Sequence, residues 1–213
     1  MSHPLLAVLL AAADGSFPPV DGGVTHMPPL DGGLEAVVSF TGHAFVASRL
    51  SADDLTDLQP DGFGRVLNPE ILLRMAGGSG EVGVGVVDVT LVARGVGGGT
   101  LGHRADLDAH PRVQHARSIR HEVDVFSDET GLVTIGRGLA GRTEMSIELF
   151  DSSSSQGAGR RLIEAALGLV PAGEPVFAGV SPGNARSLRA FLAAGFTPIG
   201  SEVIVRPAGA PTG

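Results

Sequence analysis

Hydrophobic spacing is most regular in the second half of the chain. Residues 143–150 alternate: Met145, Ile147 and Leu149 fall on one side, and Glu144, Ser146 and Glu148 on the other. That period of two predicts a half-buried strand. Residues 119–126, 132–136, 175–180 and 202–205 read as further strands. Residues 156–170 place Leu162, Ile163, Ala166 and Leu167 at helical spacing, and 184–194 follow the same rule. Gly-containing turns at 128–131 and 138–141 separate the strands. The predicted order is β-β-β-α-β-α-β.

The first half is less regular. Residues 15–33 are rich in Pro and Gly and predict turns with a short edge strand. Residues 36–40 and 43–47 predict a hairpin turning at Gly42. Ser51 caps a short helix with Asp53 and Asp54 in its first turn, ended by Pro60. Asn68 and Pro69 open a second helix that runs to Met75. Residues 82–93 predict a strand, and the glycine-rich 95–99 a domain boundary. Residues 106–117 predict a helix that Pro111 interrupts or restarts. The chain thus divides into an α+β N-terminal region, 1–98, and a second domain, 99–213. Residues 5–13 are apolar enough for the core of a secretory leader but lack a basic flank, so a short helix is favoured. No apolar run reaches the ~18 residues of a membrane span. The expectation is a soluble, cytoplasmic protein without a membrane partner.

Composition narrows the chemistry. With 43% hydrophobic and 18% charged residues, the 213-residue chain is globular, and its net charge of −8 argues against a nucleic-acid partner. Cysteine is absent, which removes disulfides, thiolate nucleophiles and cysteine metal sites. Tyrosine, tryptophan and lysine are absent too, so all 15 basic side chains are arginine. His103, His110, His115 and His121 lie close in sequence but match no metal spacing, and no metal is expected. His121 reads as a base or as a strand-edge histidine.

The strand 143–150 runs into Ser152-Ser-Ser-Ser-Gln-Gly-Ala-Gly159 and then a helix. A strand, a small-residue turn and a helix N-terminus can hold an anion through free N–H groups and the helix dipole. A Rossmann turn would need a third glycine where Leu162 stands, and a phosphate-binding Walker loop would need lysine. Alone, the turn is equally well read as a tight connection.

The next segment, Val180-Ser-Pro-Gly-Asn-Ala-Arg-Ser-Leu-Arg-Ala-Phe-Leu-Ala-Ala-Gly-Phe196, changes the picture. It resembles the second signature of the GCN5-related N-acetyltransferases: Asn184 opens a helix, Phe191 sits seven residues on, and Gly195-Phe196 close it. Ser154-Ser-Gln-Gly157-Ala-Gly159 is similar to the first signature, Arg/Gln-x-x-Gly-x-Gly/Ala. The resemblance covers roughly residues 118–206. It implies an α/β fold with a mixed, largely antiparallel central sheet flanked by helices, and acetyl-CoA as acyl donor. It also implies that the pyrophosphate lies on Gln156, Gly157, Ala158, Gly159 and Arg160. The pantetheine would lie against Glu148, Leu149 and Phe150, bordered by Asn184 and Phe191. Two positions depart from the pattern. Ser154 replaces the first Arg/Gln, and Phe191 replaces the tyrosine that often protonates the leaving thiolate.

Glu148 and Glu144 are the candidate general bases for an attacking amine. Pairing with an arginine such as Arg142 or Arg120 is the competing reading of either. The expected activity is transfer of an acetyl group to a small amine or a peptide N-terminus. The alternative is a catalytically silent acyl-CoA-binding module. Edge pairing through the last strand leaves a homodimer open.

Overall fold

A computed structural model describes residues 2–77, 83–151 and 157–210. Their elements, in chain order, are α1 (Pro4–Ala13), β1 (Val24–Met27), β2 (Glu35–Phe40), β3 (His43–Ala47), α2 (Ala52–Asp57), α3 (Pro69–Met75), β4 (Asp88–Arg94) and β5 (Gly102–His103). They continue with α4 (Pro111–Ile119), β6 (His121–Ser127), β7 (Gly131–Arg137), β8 (Thr143–Leu149), α5 (Ala158–Leu167), β9 (Pro175–Val180), α6 (Ala185–Ala193) and β10 (Thr197–Val205). The class is α/β, with parallel and antiparallel strand pairs.

Local chemistry accounts for most helix starts. Pro4, Pro69 and Pro111 occupy first helical positions, where a missing N–H costs nothing. Ser51 and Asp54 form a reciprocal capping box at α2. Pro111 therefore opens α4 rather than interrupting a longer helix; a separate 3-10 turn, Ala105–Leu107, precedes it.

The chain folds as two compact units, Met1–Val89 with Ile199–Thr212, and Thr90–Pro198. The last strand thus returns to the first unit. In that unit β1, β3, β2 and β10 lie side by side in that order. β1 runs parallel to β3, and the remaining neighbours are antiparallel. Val37, Val46, Val203 and Val205 pack against Leu55, Val66, Ile71 and Met75. Of the strand predicted over 82–93, the described part is regular only from Asp88; Val84 makes an isolated bridge to Val205. Gly83 and Gly85 explain this. A Cβ at either would collide with the backbone of Arg206 or Ile204, so the pairing needs residues that build poor strands.

In the second unit the order is β4, β9, β8, β7, β6, β5. β5 to β8 are antiparallel neighbours, while β8 and β9 are parallel. Val113 of α4 packs with Val125 and Leu132. α5 buries Leu162, Ile163, Ala166 and Leu167, the face its spacing predicts. No helix among the described residues is long and apolar enough to cross a membrane.

Candidate functional site

The second unit holds the described residues singled out from sequence, and two of them, Glu144 and Glu148, lie on the strand that parts from β9. A parallel ladder normally bonds evenly along its length. Here the register holds only Glu144 opposite Phe177, although β8 continues to Leu149 and β9 to Val180. Both strands run in the same direction from that pair, so their C-terminal halves part.

A buried ionic clamp fixes the vertex. Arg120 donates from Nε to Glu144 Oε2 at 2.7 Å, and Arg142 donates from Nε to Oε1 at 2.8 Å. The Leu139 N–H donates to the same Oε1 at 2.9 Å. The Arg142 guanidinium also lies 4.9 Å from the centre of the Phe177 ring on β9, a cation–π contact across the paired register. Arg120 reaches on to the hydroxyls of Thr134 and Ser146. Gly138 makes room for this cluster, since a Cβ there would strike the Glu144 carboxylate. Burial alone would raise the Glu144 carboxyl pKa; the charges of Arg142 and Arg120, with the Leu139 N–H, outweigh it and hold the group at about 2. Such a carboxylate is fully committed and a weak proton acceptor. For Glu144 the geometry is that of an ion pair.

Glu148 is different. It lies in the half of β8 that β9 has left, its side chain is 41% exposed, and Oε2 accepts from Arg112 Nε of α4 at 3.1 Å. The carboxylate is oriented but open to solvent, as a proton acceptor must be. Sequence reasoning did not find Arg112; thirty-six positions separate the pair and no spacing rule links them. His115, one turn further along α4, is exposed, and its pKa lies below the ordinary histidine value because of partial burial and then the charges of Arg112 and Arg120. It is therefore a neutral histidine on the helix that holds Glu148 through Arg112.

The turn after β8 carries the other group. Leu149 is half-buried and Phe150 exposed. Gln156 and the serine run 152–155 lie outside the described residues. Gly157 caps α5 with φ +91°, a left-handed conformation that glycine adopts without strain, and Ala158 and Gly159 form the first turn. The first N–H groups of a helix have no partner within it. Of the two arginines here, Arg160 pairs with Glu164 at 2.7 Å, whereas an Arg161 guanidinium nitrogen lies 3.2 Å from where a Gly157 Cβ would stand. Arg161 thus sets its guanidinium beside Gly157, a placement legible in retrospect, since helical side chains lean back toward the N-terminus. Gly159 brings α5 close to its neighbours: a Cβ there would touch Ala190, Ile147 and Leu149.

Asn184 caps α6, its Oδ1 accepting the Ser187 N–H at 3.1 Å. Phe191 is buried edge-on against Phe196, ring centres 4.9 Å apart. His121 is exposed at the start of β6, beside an irregularity where Glu122 has φ +52°. No group of three or more metal-ligating side chains converges among the described residues. No family model matches the chain, and no curated protein matches it.

Proposed function

We propose that the second unit binds an acyl-CoA thioester and transfers its acetyl group to an amine, as a GCN5-related N-acyltransferase does. The observation that carries the reading is the parallel pair that holds at Glu144 and Phe177 and then opens. An extended chain bearing two amides, such as pantetheine, can satisfy backbone groups that the departing strand leaves, by the logic of strand addition. The left-handed Gly157 turn, the N-terminus of α5 and Arg161 lie at the end of β8 that faces this opening in sequence, and suit a pyrophosphate.

The chemistry asked of this chain is modest. Glu148, held by Arg112, takes a proton from the amine as its nitrogen attacks the thioester carbonyl. The carbon–sulfur bond breaks, and thiolate leaves. CoA thiolate is a competent leaving group, so protonation by water suffices where Phe191 offers no hydroxyl.

One observation favours a second reading. The chain has no tyrosine, and Phe191 is sealed in the core beside Phe196. A module that binds acyl-CoA without turning it over would show the same features. A thiol-release assay with acetyl-CoA and a broad panel of amines, run beside calorimetry, separates the two. Slow, amine-dependent release supports the transferase. Saturable binding without release for any amine supports the silent module, and absence of both rejects the assignment.

A further inference from the structure

The first unit contains a separate constellation with the order of a nucleophile, a base and an orienting carboxylate. Thr25 lies on β1 and His43 opens the parallel neighbour β3, where Thr25 stands opposite Phe45. His43 Nε2 is 2.9 Å from Thr25 Oγ1, and His43 Nδ1 is 2.8 Å from Asp21 Oδ1. The same Asp21 oxygen accepts the Gly23 N–H at 2.7 Å, which fixes the carboxylate. An ionised carboxylate only accepts hydrogen bonds, so a neutral imidazole here carries its proton on Nδ1 and presents its lone pair at Nε2. The remaining bond then runs from the Thr25 hydroxyl to His43, the polarity that activates a hydroxyl. Gly23 permits the cluster, because a Cβ there would stand 2.8 Å from Asp21 Oδ1 and 3.0 Å from the His43 ring.

Access and a binding surface are both present. His43 is buried, which holds the ring in place, while Thr25 is only half-buried. Beside them Val20 and Phe63 are 66% and 70% exposed. The Phe63 ring lies against Gly22 and Gly42, the residues that adjoin Asp21 and His43 in sequence. An apolar group of a bound molecule can rest there, beside the turns that carry Asp21 and His43.

We propose that Thr25 is an acylatable nucleophile, with His43 as its base and Asp21 as a positioning residue, and that it takes the acyl group of an activated ester whose short apolar chain lies on Val20 and Phe63. Thr25 Oγ1 forms a bond to the carbonyl carbon and its proton passes to His43 Nε2. The bond from that carbon to the leaving alcohol's oxygen breaks, and His43 returns the proton to the departing oxygen. Water, deprotonated by the same nitrogen, then releases the carboxylic acid and restores the hydroxyl. The site lies within the first unit and does not depend on the acyl-CoA reading.

The test uses the full chain and p-nitrophenyl butyrate, with phenolate release read by absorbance and the adduct located by peptide mass mapping. The expected result is one butyryl group on the peptide holding Thr25. Thr25→Val should lose both signals, with the β-branched shape of a strand residue retained. Thr25→Ser should keep them, and His43→Gln should lower the rate about 10²-fold or more. For Asp21→Asn the distinguishing readout is the downfield His43 Nδ1 proton resonance, which should disappear as the rate drops. No adduct on the wild type, an adduct elsewhere, or wild-type labelling of Thr25→Val would overturn the proposal.

Discussion

Glu144 and Glu148 point to the same face of one strand, yet their surroundings give them different work. Glu144 holds two buried arginines, so replacing it by Gln leaves guanidinium charge uncompensated in the interior. Removing one partner of a buried pair costs about 3–5 kcal/mol, and Glu144→Gln should melt correspondingly earlier. The pH dependence has a definite sign. The carboxyl titrates near 4.5 when unfolded and at about 2 when folded. Because the folded value is the lower, its stabilising contribution is complete above the unfolded value and drains away as pH falls toward 2. Melting temperatures across that window should fall in the wild type and change less in Glu144→Gln; equal slopes would contradict the clamp. Glu148→Gln should leave stability and acetyl-CoA affinity nearly intact while slowing transfer by the ~10²–10⁴-fold typical of a lost base. Unchanged turnover would move that role to His115. The competing reading of each glutamate, base or ion pair, was visible in the sequence. Which reading applies to which residue was not, because Arg112 reaches Glu148 from α4, thirty-six positions back, and no spacing rule says which glutamate Arg120 and Arg142 take.

At the scale of elements, legibility follows periodicity. Alternation located β8, although burial along it does not alternate, Glu144 being buried beside Met145 and Ser146 to Leu149 all half-buried, whereas the Leu162, Ile163, Ala166, Leu167 stripe marked the buried face of α5. The strand β5, two residues long, is too short to carry a period, and the stretch before β4 is shaped by close approach of backbone at Gly83 and Gly85. The parting of β8 from β9 has no signature in either strand; it comes from where the Arg120–Glu144–Arg142 cluster and Phe177 tie them together. The turn that follows can be probed alone. Gly157→Val forces a β-branched residue to φ +91°, at a cost of roughly 1–2 kcal/mol, and sets a side chain beside Arg161. A modest drop in melting temperature with a large loss of acetyl-CoA affinity is expected. Undiminished affinity would show that this turn is not where the donor's phosphates lie.

At the scale of the molecule, the partition is not a single cut along the chain. The segment after Pro198 returns to the first unit, where Val203 and Val205 complete its core. Sequence periodicity finds the last strand but cannot say which strands it joins, since that depends on pairing across more than a hundred residues. The second unit carries the acyl-CoA reading and the first carries the Asp21–His43–Thr25 cluster, so the two proposals can fail separately. The measurement that bears most directly on the central one is a titration of the isotopically labelled full chain with acetyl-CoA, followed through backbone amide resonances. The account predicts saturable shifts concentrated at residues 145–149, 157–161 and 178–180, along the opened halves of β8 and β9 and the start of α5. Absence of saturable shifts, or shifts gathered elsewhere in the chain, would contradict it.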